Sequence, residues 1–285
     1  FLLGLIEGMP FGALVIYTSA QKGSVEFDKR LYEKFGARVI RDRAKILLPT
    51  PRITKRAIKI LKNESITRVW FGAAAPLALM ASALRKNGVS NIVALSHGHE
   101  VWWAKIPIFK QLLKKIISDV NYLGYLGNFT KSEIIKISKD PTKLVQIAPG
   151  IDTNHFMPRT ASAKLIAKYR LEDRRIIICV ARLVHRKGQD QLIQAMPKIL
   201  QSHPDAILLL VGVGPIKQML ENSARQLRIT HKIVFAGRIS HDELPDYLAI
   251  SEIFAMPVRS RFSGLEVEGL GIVYLEASAC GKPVV

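Results

Sequence analysis

Glu268-Gly-Leu-Gly-Ile-Val-Tyr-Leu-Glu276 carries one carboxylate among glycines and a second inside an apolar run, Ile272 to Ala279, that reads as a helix. The chain then runs on through Ala277-Ser-Ala-Cys-Gly-Lys-Pro-Val-Val285. Gly269 and Gly271 let the main chain approach a ligand closely. Glu268 therefore belongs on a loop tip, and Glu276 about one turn into the helix behind it. An ionised carboxylate is acceptor-only and can take two hydroxyl donors. Two of them at different depths of one loop-helix unit suit a polyhydroxylated ligand. The plainer alternative is a glycine turn leading into an amphipathic helix with two solvated glutamates.

Upstream of that unit the chain alternates short apolar runs with helical spacings. Strands are predicted at residues 13–17, 38–40, 68–71, 91–95, 121–126 and 143–147. Helices are predicted at 27–35, 52–63 and 77–85, with helix starts near 101 and 128. After Pro149-Gly-Ile-Asp152, Thr153, Phe156 and Pro158 the pattern restarts. It continues with strands at 175–180, 206–211, 232–236 and 253–256 and helices at 189–202, 216–227 and 244–250. Such alternation implies α/β units built on parallel sheets, whose ligands bind at the carboxyl ends of the strands. The division predicted is residues 1–149, a linker at 150–158, and residues 159–285.

Two of those strand ends carry chemistry. Between the first strand and helix of the second unit lies Ala181-Arg182-Leu-Val-His-Arg186-Lys187-Gly188. Fixed cations ahead of a helix N-terminus make a diphosphate clamp: Arg182 can fork two phosphate oxygens and Lys187 adds a point charge. A solvated basic loop is the competing reading. In the first unit, the strand at 91–95 empties into Ser96-His97-Gly-His99-Glu100. A zinc site there lacks a third ligand at suitable spacing, so a polar pair facing a bound ligand is the better reading, one histidine being only structural. Val211-Gly212-Val-Gly214-Pro215 fails as a dinucleotide fingerprint and is weak alone. Gly237-Arg-Ile239-Ser240 ends the next strand, where main-chain groups can read a base edge or form an ordinary β-α loop.

Composition limits the rest. A chain of 285 residues with 48% hydrophobic and 23% charged residues is globular rather than disordered. The 42 Lys and Arg against 23 Asp and Glu leave a net charge of +19, which calls for an anionic partner. Nucleic acid would want aromatics interleaved with the basic residues on one face, and Trp102-Trp103 is the one such pair. Those tryptophans open a run to Ser118 with Lys105, Lys110, Lys114 and Lys115 interleaved and Pro107 marking a kink or the true helix start. That run suits either an anionic bilayer surface or a core-packing helix with a solvated lysine face. The opening, Phe1 to Tyr17, is apolar but interrupted by Glu7, Gly8 and Pro10, so no membrane span is predicted. Cys179 and Cys280 form no metal spacing and read as buried thiols.

The order of clamp, base loop and Glu-x7-Glu resembles the second domain of retaining family-4 glycosyltransferases of the GT-B type. Residues 69–79, His97-Gly-His-Glu-Val101, Arg182-Leu-Val-x-Arg-Lys-Gly-Gln-Asp190 and Val267 to Ala277 together resemble the actinobacterial PimB-type family. The resemblance covers nearly the whole chain. It implies two Rossmann-like domains facing across a cleft, acceptor-side first and nucleotide-sugar-binding second. It implies transfer of mannose from GDP-mannose to a phosphatidylinositol mannoside with retention of configuration, or a related nucleotide sugar and acceptor. Arg182 and Lys187 would hold the donor diphosphate, Glu276 the ribose, and Glu268 with Gly269, Leu270 and Gly271 the sugar. Ile239 would meet the guanine and His97 the transferred mannose, giving His97, Glu268, Arg182 and Lys187 the catalytic roles. No divalent metal or other cofactor is expected, and no nucleic acid. The enzyme would sit peripherally on the cytoplasmic face of the cell membrane, drawn there by its charge. A glycine-rich loop ahead of Phe1 and further helices after Val285 are expected in the complete protein.

Overall fold

The computed structural model describes residues 2–98, 100–148, 150–262 and 270–285 and divides the chain into two compact units, Phe1–Gly150 and Ile151–Val285. In the first unit, α1 (Leu2–Glu7) precedes β1 (Val15–Ser19), α2 (Ser24–Phe35), β2 (Arg38–Asp42) and α3 (Pro51–Asn63). These are followed by β3 (Arg68–Phe71), a 3₁₀ turn (Leu77–Met80), α4 (Ala81–Arg85) and β4 (Asn91–Leu95). Then come α5 (Glu100–Lys105), α6 (Pro107–Asp119), β5 (Tyr122–Tyr125), α7 (Asn128–Ile135) and β6 (Leu144–Gln146). All ladders are parallel, in two pieces: β1-β2 and β3-β4-β5-β6. Tyr17 of β1 nonetheless packs against the core built from Phe71, Ile92, Ala94, Leu113, Ile116 and Leu123.

Local chemistry explains several boundaries. Thr50 caps α3 by accepting the Ile53 amide at 3.3 Å, and Pro51 takes the first helical position, where no amide partner is needed. Pro107 does the same for α6, so the run from Val101 is two helices rather than one. The tryptophans of that run turn inward. Trp103 is buried and Trp102 half-buried, both with rings about Phe109 at centroid distances of 5.0 and 4.7 Å. The aromatic end of this basic run is therefore core, and what it shows to solvent is Ile108 among lysines.

Asp42, at the end of β2, is a fully buried carboxylate with its partners in place. Arg52 donates to it at 2.8 Å, the Ala44 amide at 2.8 Å and the Tyr17 hydroxyl at 2.7 Å. The Arg52 hydrogen bond, then the Ala44 amide and the Tyr17 hydroxyl, hold its pKa well below the usual carboxylate range. Burial, then the bond to Asp42, pushes Tyr17 up to about 12.

The second unit runs α8 (Ala163–Tyr169), β7 (Arg175–Val180), α9 (Gln189–Ser202), β8 (Ala206–Val211) and α10 (Lys217–Gln226). It ends with β9 (Ile233–Gly237), α11 (Leu244–Ala249), β10 (Ile253–Phe254) and α12 (Ile272–Ala279). Its sheet is parallel in the order β10-β7-β8-β9. Every residue of β8 is buried, as a central parallel strand covered on both faces requires. α8 has no counterpart in the sequence reading: none of its residues is buried, and its clearest local mark is the Ser162 cap, which accepts from the Leu165 amide. Phe156, read from sequence as part of a linker, is buried in the core of this unit. β10 is assigned only to Ile253–Phe254, though the Ala255 amide still donates to Ile178 and the Met256 amide to Val285, each at 2.9 Å, before Pro257, which has no amide to donate. Cys179 and Cys280 are buried and free, and burial pushes Cys179 up to about 12.

Asp42 generates a pH prediction. Its folded pKa lies below the unfolded value of about 3.9, so its contribution is complete above that value and is lost as pH falls through the folded pKa. Asp42→Asn should melt earlier than wild type at pH 7, with the gap narrowing from pH ~4 downward. Thermal melts across that range decide it, and a gap independent of pH would contradict the assignment.

Candidate active site

The carboxyl ends of β7, β8, β9 and β10 share one edge of the second sheet because the strands are parallel. The loop after β7 carries Arg182, and a 3₁₀ turn (His185–Lys187) brings Lys187 to Gly188, which caps α9. Gly188 has φ +75°, and a Cβ there would lie 2.0 Å from the Pro257 carbonyl oxygen. Arg259 fastens the same turn from the β10 side: its amide donates to the Arg186 carbonyl at 2.9 Å and its guanidinium to Asp190 at 2.6 Å. Gln189, buried at the start of α9, donates to the Arg182 carbonyl at 3.1 Å. The Arg182 side chain is exposed and forms no hydrogen bond or ion pair among the described residues. Its main chain is held from below by Gln189 while its side chain is exposed, on the loop that leads into the N-terminus of a fourteen-residue helix. That is an anion site in the making.

The turn Gly212-Val-Gly214, weak as a motif, supports this loop. The Ala181 amide donates to Val211 at 3.0 Å and the Leu183 amide to Val213 at 3.1 Å. Between those bonds the two main chains touch: a Cβ on Gly212 would lie 2.1 Å from the Ala181 carbonyl oxygen, and one on Gly214 2.1 Å from that of Leu183. The Gly212 amide also donates to Gly237 at 2.7 Å, tying in the β9 loop. Sequence reasoning missed this role because it tested the glycines for phosphate contact and not for contact with a neighbouring loop.

After β9, Ile239 is half-buried against the core of its unit. Ser240 and Glu243 cap each other: Ser240 donates amide and hydroxyl to the Glu243 carboxylate at 2.9 and 2.8 Å, and the Glu243 amide returns a bond at 3.2 Å. The Ser240 side chain is thus committed to the turn, and Ile239 is presented by a pinned loop. On α12, Glu276 is 8% exposed. Burial raises its pKa above the ordinary glutamate range, opposed by His241, whose Nε2 lies 3.5 Å from Oε1. His241 beside this carboxylate was not foreseen, and nothing in its local sequence marks it. Leu270 and Gly271, which caps α12, are half-buried. Glu268 and Gly269 lie outside the described residues.

His97 belongs to the first unit, at the carboxyl end of β4. Its Nε2 lies 2.6 Å from the Gly72 carbonyl oxygen, which can only accept, so Nε2 carries the proton. The turn that holds it is anchored by Glu100, fully buried, which accepts the Ser96 hydroxyl at 2.8 Å and the Ala75 amide at 3.4 Å. Glu100 is a positioning residue that the sequence reading quoted without a role. His99 lies outside the described residues.

Residues 162–285 match the family model described as glycosyl transferases group 1. Over 273 residues the chain is 41% identical to the GDP-mannose-dependent alpha-(1-6)-phosphatidylinositol monomannoside mannosyltransferase of Mycolicibacterium smegmatis, covering 95% of this chain and 71% of that enzyme. The chain belongs to the group 1 glycosyltransferases. A second relative is the GDP-mannose-dependent monoacylated alpha-(1-6)-phosphatidylinositol monomannoside mannosyltransferase of Corynebacterium glutamicum, 39% identical over 96% of this chain and 71% of its own length. Among solved structures, Anabaena HepE in complex with UDP and glucose superposes with a TM-score of 0.73 over 99% of this glycosyltransferase and 75% of that chain, at 17% identity. A glycosyltransferase from Rickettsia africae superposes with a TM-score of 0.75 over 95% and 69%, at 20% identity. These likenesses establish the GT-B fold of this glycosyltransferase.

If the glycine turn carries the clamp, Gly212→Ala should lower nucleoside diphosphate affinity at least about tenfold and lower the melting temperature. Gly4→Ala, where a Cβ meets nothing within 4 Å, is the control. Calorimetry and melts on both variants decide it, and unchanged affinity in Gly212→Ala would remove the turn from the site.

Proposed function

We propose that this glycosyltransferase moves mannose from GDP-mannose to a phosphatidylinositol mannoside acceptor with retention of configuration. The observation that carries the reading is the 41% identity, spread over 95% of the chain, to an enzyme named for that donor and acceptor. The local chemistry supports it. Arg182 and Lys187 neutralise the diphosphate as it leaves, aided by the N-terminus of α9, which is the charge stabilisation that glycosyl transfer from a nucleotide sugar requires. Glu276, ionised, accepts the ribose hydroxyls. Glu268, with Gly269, Leu270 and Gly271, takes the hydroxyls of the sugar, and Ile239 lies against the base. His97, held by the Gly72 carbonyl in the first unit, is the candidate contact to the transferred mannose. No residue in this scheme calls for a divalent metal at the diphosphate, because the clamp already supplies its positive charge.

The acceptor is an anionic lipid, and the reading places the enzyme peripherally on the inner face of the cell membrane. Among the described residues no helix is long and apolar enough to cross a membrane. The net charge of +19 favours an anionic leaflet. Ile108, 74% exposed at the start of α6 and flanked by Lys105 and Lys110, is an apolar contact suited to the interface.

Titrating GDP, UDP and ADP into the full-length protein with and without EDTA tests the donor. Selective GDP binding that EDTA does not alter is expected, and a preference for UDP would fail the mannose assignment while leaving the family intact. Arg182→Ala should lower turnover by roughly 100- to 1000-fold. Glu276→Ala should weaken GDP itself, whereas Glu268→Gln should impair transfer and largely spare GDP. The reverse pattern would exchange the two carboxylates.

A further inference from the structure

His155, His241 and Asp242 come together in the second unit, each offering a ligand atom within 4.8 Å of the others. We propose that they form a binding site for a transition-metal dication of the zinc type, separate from the chemistry of the diphosphate clamp. Both imidazoles are already arranged as metal ligands usually are. His155 Nε2 lies 3.3 Å from the His241 carbonyl oxygen, an acceptor, so Nε2 holds the proton and the lone pair falls on Nδ1. His241 Nε2 faces the Glu276 carboxylate at 3.5 Å, which selects the same tautomer. A carbonyl behind one histidine and a carboxylate behind the other are the partners that fix tautomer and raise ligand basicity at metal centres.

The two arms are also anchored. Asp152 accepts the Asn154 and His155 amides at 2.9 and 3.2 Å, and Arg159 joins the His155 carbonyl at 2.6 Å to Asp246 of α11 at 2.9 Å. His155 rests edge-on against buried Phe156, with ring centroids 4.9 Å apart. His241 and Asp242 lie inside the turn closed by the reciprocal Ser240–Glu243 bonds. The two imidazoles stand stacked at 5.4 Å with an interplanar angle of 13°. Ligand atoms in a tetrahedral zinc site are about 3.4 Å apart, given bonds of ~2.0–2.1 Å. Closing that difference requires the exposed His241 and Asp242 side chains to turn, since an imidazole binds an ion in its ring plane and the two rings now stack.

Two imidazoles and one carboxylate suit zinc, cobalt, nickel or copper and not calcium or magnesium, which prefer oxygen. Three protein ligands at an exposed position leave a fourth place for water or another ligand. The site works against a net charge of +19, so the ligand set itself must supply the affinity. Ion binding at this site does not rest on the donor reading.

The test titrates zinc chloride into tag-free, EDTA-stripped and desalted full-length protein by calorimetry, with cobalt absorption as a second readout. One saturable site per chain is expected, weakened at least about tenfold in His241→Gln and in His155→Gln, and less in Asp242→Asn. Cobalt should give a ligand-field band in wild type that is absent from His241→Gln. Melts in EDTA establish that His241→Gln, whose side chain is 66% exposed, keeps the fold. No saturable zinc binding, or wild-type binding in both histidine variants, would overturn the site. GDP titrations in EDTA read the donor assignment separately.

Discussion

The arginine loop lies main chain against main chain on the turn after the neighbouring strand, and that contact governs the proposed donor side of this protein. At Gly212 and Gly214 there is no room for a β-carbon, because the carbonyl oxygens of Ala181 and Leu183 occupy the space. The same squeeze recurs at Gly188 against Pro257. Four strands thereby deliver their ends to one compact platform, stitched by amide hydrogen bonds from Leu183 to Val213, Gly212 to Gly237 and Arg259 to Arg186. A cation that must meet a leaving diphosphate gains most when its main chain is already fixed, since ordering the loop during binding would cost affinity.

Three buried carboxylates show how the fold treats charge differently by purpose. Asp42 is surrounded by Arg52, Tyr17 and the Ala44 amide, and its ionised form is strongly favoured. Glu100 binds Ser96 and the Ala75 amide, so it shapes the turn carrying His97. Glu276 is held less completely: its side-chain partner among the described residues is His241 at 3.5 Å, and burial raises its pKa. A buried acceptor with unused capacity is costly unless something else supplies the donors. Ligand hydroxyls would do so, which distinguishes Glu276 from the two structural carboxylates.

The basic run from Val101 shows how burial sorts residues of one segment. Sequence left a bilayer face and a core face open for the tryptophans, and packing against Phe109 assigns them to the core. Ile108 is left as the exposed apolar residue, with lysines on either side.

Hydrophobic period and strong punctuation made much of the fold legible. β3, β4, β7 and β8 and helices α9 and α12 lie where the sequence reading put them, because each is an apolar or amphipathic run with sharp ends. β1 is displaced to Val15–Ser19 because pairing with Arg38–Asp42 draws in Thr18 and Ser19, which carry no apolar signal. α8 was missed because it buries nothing, and Phe156 was misplaced because its burial depends on residues far along the chain. The proposed clamp residues and paired glutamates were candidates from residue type and spacing; of them the structure describes Arg182, Lys187 and Glu276, while Glu268 lies outside the described residues. The support of Arg182 by Gly212 and Gly214, the hold of Glu100 on the His97 turn, and the meeting of His155 with His241 and Glu276 were decided by tertiary structure alone. Each joins segments that only the parallel sheets and their loops bring within bonding distance.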